Sequence, residues 1–144
     1  MNIIIDTSQI IEKLEKRTLK TYLKHHEANG DKLFIDTRVY AELANKLSNP
    51  KLKEHFHTLI KEKKASGLII NSRHRYTLKR TFKELFQNLK NKHVHLSTTD
   101  RHLIALSVQE NAYLDTTDDG IKQALRILKS SKNPWRHYMR LDVE

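Results

Sequence analysis

The sequence contains no cysteine, which excludes disulfides, zinc–thiolate centres and thiol catalysis. Glycine is scarce, at three residues, and no glycine-rich phosphate loop exists, so an NTPase is not expected. No apolar run approaches the length needed to cross a bilayer. The opening isoleucines meet Asp6 too early for a signal peptide. Linkers, low-complexity tracts and convincing repeats are absent too. Negative charge is also in short supply: 17 Asp and Glu stand against 27 Lys and Arg, a formal net charge of +10. A soluble, cytoplasmic protein is expected, with nucleic acid as its leading partner and anionic membrane surface a distant second. The 144 residues suit one domain, 1–144, long enough to bury a real core.

What is present alternates. "NIII" (2–5), "LFI" (33–35), "GLII" (67–70), "AYLDT" (112–116) and "WRHYMRL" (135–141) read as strands, with "HVHL" (93–96) a further extended candidate. Between them run helical patterns: Ile11 to Leu23, "VYAELANKL" (39–47), Leu52 to Ile60, Leu78 to Leu89, Asp100 to Glu110 and Ile121 to Leu128. Asn29-Gly30-Asp31 and Ser48-Asn49-Pro50 punctuate the chain. Strands alternating with helices predict one α/β domain with a mainly parallel sheet of about five strands.

That architecture gives meaning to the scarce acids. Every strand of a parallel sheet ends at the same edge, where the following helix starts. Asp6 ends the first strand and Asp100 opens a helix leaving that edge. "AYLDT" returns by about the same distance and delivers Asp118 and Asp119 there. Glu42, in the second turn after the strand ending at Ile35, sits near the same rim. Acids from across the chain thus meet in one crevice, where they repel unless a divalent cation neutralises them. Hard oxygen donors open to phosphates suit Mg²⁺ or Mn²⁺.

"IIIDTS", "VYAELANKL", "TTDRHLIALSVQENA" and "LDTTDDGIKQAL" resemble, in order, the four acidic motifs of the PIN-domain ribonucleases. The last is similar to stretches in archaeal ribosome-biogenesis members and VapC-type toxins. The resemblance covers at least 3–128 and implies a three-layer sandwich of helices about a parallel sheet. It also implies Mg²⁺- or Mn²⁺-dependent endonuclease activity on RNA, leaving 5′-phosphate and 3′-hydroxyl ends. Carried over, the catalytic and metal-binding acids fall on Asp6, Glu42, Asp100 and Asp119. Asp118 is an auxiliary metal position, and Ser8 is the hydroxyl that orients a ligand. An additional residue before the Thr-Asp-Asp run leaves Asp118 and Asp119 able to exchange roles. Segment 48–98 carries no part of the resemblance. An antitoxin or a ribosomal precursor are further partners the family implies, and its members commonly form homodimers.

Each acid also has a plainer reading. Asp6, Asp36, Asp100 and either Asp118 or Asp119 suit helix capping, Glu42 suits a solvated helix face, and Asp115 suits a structural role within its strand. Arg73, Arg75, Tyr76, Lys79, Arg80 and Lys83 crowd one helix and are expected to contact RNA, against the plain alternative of a solvated face. His93-x-His95 and His55-x-His57 lack an obvious third zinc ligand. Two alternatives stand beside the metal nuclease. One is an RNA-binding or assembly module on the same architecture, and the other a metal-independent ribonuclease using groups such as His102 or His74 with a lysine.

Overall fold

The computed structural model describes residues 1–65, 69–71, 83–91, 93–110, 112–128 and 130. Four of the expected extended runs form strands: β1 (Asn2–Ile5), β2 (Lys32–Asp36), β3 (Ile69–Asn71) and β4 (Tyr113–Asp115). Every pairing is parallel, in the order β3-β2-β1-β4. Parallel neighbours need crossover connections, and helices supply them. Between β1 and β2 lie α1 (Thr7–Glu15) and α2 (Leu19–Ala28), and between β2 and β3 lie α3 (Thr37–Lys46) and α4 (Pro50–Ala65). Then come α5 (Lys83–Asn91) and α6 (Thr98–Gln109) before β4, and α7 (Asp119–Leu128) after it.

Successive residues of β1 point to opposite faces of the sheet, yet Ile3, Ile4 and Ile5 are all at most 4 % exposed. Both faces are therefore covered, as in a three-layer α/β/α sandwich. The cover comes from aliphatic stripes at helical spacing: Ile10 and Leu14 on α1, Val39 and Leu43 on α3, Leu103 and Leu106 on α6, Ile121 and Leu125 on α7. The α/β sandwich expected from the sequence is the observed one. Four strands lie among the described residues; the strand expected at 135–141 lies outside them.

Two local expectations are corrected. The helical stripe from Ile11 to Leu23 is two helices, because Arg17 takes a left-handed backbone with φ 57°. The amides of Arg17 and Thr18 turn back to the carbonyls of Leu14 and Lys13 at 3.1 and 2.9 Å, a helix stop that usually carries glycine. With arginine there, the break leaves no mark in the sequence. The segment "HVHL" is not a strand: His93 turns the chain with φ 60°. Its alternation reflects a buried Val94 between exposed histidines, not a pleat. Among the described residues no helix is long and apolar enough to cross a membrane.

Candidate acidic active site

The carboxyl ends of β1 and β4 meet where Asp6 follows Ile5 and Thr116 follows Asp115. Asp6 caps α1, its Oδ1 accepting the Thr7 amide at 2.8 Å. Its Oδ2 accepts from the hydroxyls of Ser8 at 2.9 Å and Thr116 at 2.6 Å. Thr116 Oγ1 in turn accepts the Asp118 amide at 3.0 Å, and Ser8 Oγ accepts the Thr117 amide at 3.2 Å. The loop after β4 is thus tied to the start of α1 through one carboxylate. Thr7 Oγ1 donates to Glu42 Oε2 at 2.7 Å, fixing the acid of α3 to the same corner. Asp100 lies in the first turn of α6, where it forms a capping box with Ser97: the Asp100 amide donates to Ser97 Oγ at 3.1 Å.

These residues border a crevice of about 570 Å³ lined by Asp6, Ser8, Glu42, Lys46, Asp100 and Asp118, with Glu12 and Glu15 on its α1 side. Among the described residues, six carboxylates face it against one lysine, in a chain where cations outnumber anions. Burial pushes the Asp6 carboxyl above its ordinary value, although three hydrogen bonds oppose the shift and the Asp118 charge adds to it. Burial likewise raises Asp100, and the charges of Asp6 and Asp118 raise it further. Acids from three distant parts of the chain therefore sense one another across the crevice. Among the described residues, no three His, Asp or Glu side chains already form a group able to hold a metal ion. The rim is open, and its carboxylates converge without being clustered. The donors are hard oxygens, and a cation would offset the neighbouring charge that adds to burial at Asp6 and Asp100, so these residues fit Mg²⁺ or Mn²⁺.

Of the residues singled out in the sequence, Asp6, Ser8, Glu42, Asp100 and Asp118 line the crevice, and Asp119 does not. Asp118 also caps α7, its Oδ1 accepting the Ile121 amide at 3.0 Å. Asp119 is exposed in the first turn of that helix. Asp115 faces elsewhere, held by Gln9 Nε2 at 3.0 Å and by the Tyr22 hydroxyl. Arg73, Arg75, Tyr76, Lys79 and Arg80, together with His74, lie outside the described residues, while Lys83 is exposed at the start of α5.

Sequence reasoning missed Thr7 and Thr116. Their only signal is a hydroxyl beside each acidic motif. It also missed the partner of Asp36, which caps α3 through the Arg38 amide at 2.9 Å. The second oxygen of that carboxylate accepts from His102 Nε2 at 2.9 Å, with both side chains 1 % exposed. His102 is thereby walled off from any substrate, so it cannot serve the metal-independent chemistry considered for it. The pair instead ties the base of the helix bearing Glu42 to the helix bearing Asp100.

The fold has counterparts among known proteins. A chain of VapBC2 from Rickettsia felis, solved bound to a DNA fragment from their promoter, is similar over 99 % of this chain and 98 % of its own, at 20 % identity and TM-score 0.65. PAE2754 from Pyrobaculum aerophilum is similar over 86 % and 87 %, at 17 % identity and TM-score 0.55. No curated protein sequence matches the chain significantly. The family model of the PIN domain matches residues 3–126, a span that contains every acid of the crevice and, but for Asn2, every strand residue described above. The chain belongs to the PIN domain family.

Proposed function

We propose that this PIN domain is a nuclease, specifically a Mg²⁺- or Mn²⁺-dependent endoribonuclease that hydrolyses RNA phosphodiester bonds. The observation that carries the reading is an open crevice at the sheet edge in which burial raises Asp6 and Asp100, the charge of Asp118 adding to both and that of Asp6 adding to Asp100. Asp6, Glu42 and Asp100 would hold the cation, with Asp118 or Asp119 as the fourth acid. Of these two, Asp118 is the better placed. When bound, the cation supplies Lewis acidity to a water and offsets charge on the phosphoryl oxygens.

The remaining steps belong to the chain. Ser8 and Thr116 hold Oδ2 of Asp6 and the Thr7 amide holds Oδ1, so its orientation is set before any ligand arrives. Thr7 does the same for one oxygen of Glu42 and leaves the other available. Lys46, 3.8 Å from Glu42, provides the single positive charge on the rim among the described residues and can approach a phosphate oxygen. Arg73, Arg75, Lys79, Arg80 and Lys83 are further proposed contacts for the RNA backbone. RNA is the proposed substrate, and an antitoxin or a ribosomal precursor is a further partner to test.

Incubation of single-stranded RNA with the protein and Mn²⁺, with and without a chelator, tests the reading. Cleavage that the chelator stops, with 5′-phosphate and 3′-hydroxyl ends, is the expected result. Tight RNA binding with no cleavage in Mn²⁺ would instead support a binding or assembly module.

A further inference from the structure

A second concavity lies on the other side of the wall that carries Asp100. The short segment 95–101 separates the two: Ser97 and Asp100 face the acidic crevice, whereas His95, Leu96 and Arg101 face a pocket of about 300 Å³. The charge reverses across that wall. Among the described residues, Lys83, Lys90, His95 and Arg101 border the pocket and no carboxylate does, while Phe86 and Leu96 give it an apolar side. Arg101 is the informative member. Its Nε is buried and, among the described residues, has no hydrogen-bond partner. A guanidinium nitrogen removed from water without an acceptor is costly, and because the residue as a whole is only partly buried the rest of its side chain is open to a ligand.

We infer that this pocket is a nucleotide subsite for single-stranded RNA, adjoining the acidic crevice and taking a backbone phosphate on Arg101 and Lys90. It rests on the ribonuclease reading above and names the part of the substrate held beside the cleaved bond. Arginine offers a planar fork matched to two phosphate oxygens, and Lys90 adds a mobile charge. Phe86 provides a half-buried ring against which a base can stack. Arg101 directly follows Asp100 in α6, so the pocket adjoins the acids that would take the scissile phosphate. An acidic protein segment is the competing occupant, but it would leave the aromatic and apolar side of the pocket without a purpose.

Fluorescence anisotropy with a labelled single-stranded RNA oligonucleotide in EDTA, over a range of KCl, tests the subsite without relying on catalysis. The variants are Arg101→Gln, Lys90→Gln and the control Lys24→Gln, an exposed lysine of α2 that lines neither concavity. Lys90 is exposed, so its variant tests the proposal even if Arg101→Gln fails to fold. Affinity about 10-fold weaker for Arg101→Gln and Lys90→Gln, with each salt slope reduced by about one and Lys24→Gln unchanged, is the expected result. Equal losses in all three variants would reduce the pocket to general charge and overturn the proposal. So would unchanged RNA affinity, absence of RNA binding by the wild type, or loss of polyglutamate binding alone. Cleavage in Mn²⁺ is scored separately. Wild type that binds RNA through these residues but never cleaves it defeats the nuclease reading and leaves the subsite standing.

Discussion

Replacing His102 with leucine tests whether the buried tie between α3 and α6 holds the site together. Asp36 is 0 % exposed, and in His102→Leu its carboxylate keeps only the Arg38 amide of its two present donors. Breaking a buried pair by removing one partner costs about 3–5 kcal/mol. The imidazole Nδ1 is itself buried without a partner, and deleting it recovers about 1 kcal/mol. The net expectation is a loss of about 2–4 kcal/mol in urea denaturation near neutral pH. The double variant Asp36→Ser/His102→Leu removes the stranded carboxylate and retains a good N-cap for α3. It should therefore be more stable than His102→Leu alone, even though it carries one more substitution. A single variant within about 0.5 kcal/mol of wild type, or a double variant less stable than the single, would refute the reasoning.

Two further outcomes follow from the acidic crevice. The Asp6 and Asp100 carboxyls are raised by burial first and by neighbouring acids after it. Their neutral forms are therefore favoured in the folded state, and their stability contribution is full below about 3.8 and lost as pH rises through the raised values. In EDTA the melting temperature of Asp6→Asn should exceed that of wild type most near neutral pH, and the gap should shrink on acidification. A gap that widens in acid contradicts the assignment. Across the helix start, Asp118→Asn should cost about 100-fold or more in RNA cleavage and Asp119→Asn less than about 10-fold. The reverse ranking in a Mn²⁺ titration would favour the register carried by the family resemblance.

Alternation of β-branched runs with amphipathic stripes was enough to expect the parallel sheet, because burial on both faces leaves continuous aliphatic strands such as "NIII". The convergence of Asp6, Glu42, Asp100 and Asp118 was legible for the same reason: a parallel sheet has one carboxyl edge. Finer points were not. The break at Arg17 depends on a backbone conformation that a side chain other than glycine happens to adopt. Choosing between Asp118 and Asp119 requires knowing where the last β residue leaves the sheet, and one residue of slip turns either side chain away from the crevice. The pairing of Asp36 with His102 spans 66 positions and leaves no periodic trace. Arg101 looks like any helix-surface cation until its buried Nε is seen.

The most direct measurement is the rate of Mn²⁺-dependent cleavage of single-stranded RNA by wild type and Asp6→Asn at matched concentrations, with the fold of each confirmed by circular dichroism. Asp6 sits at the centre of the hydroxyl network that ties β1, the loop after β4 and α1 together. It also senses the charge of Asp118. If the crevice holds the catalytic cation, wild type cleaves and Asp6→Asn, still folded, loses at least about 100-fold in rate. Equal rates from the two folded proteins would contradict a metal nuclease centred on this edge.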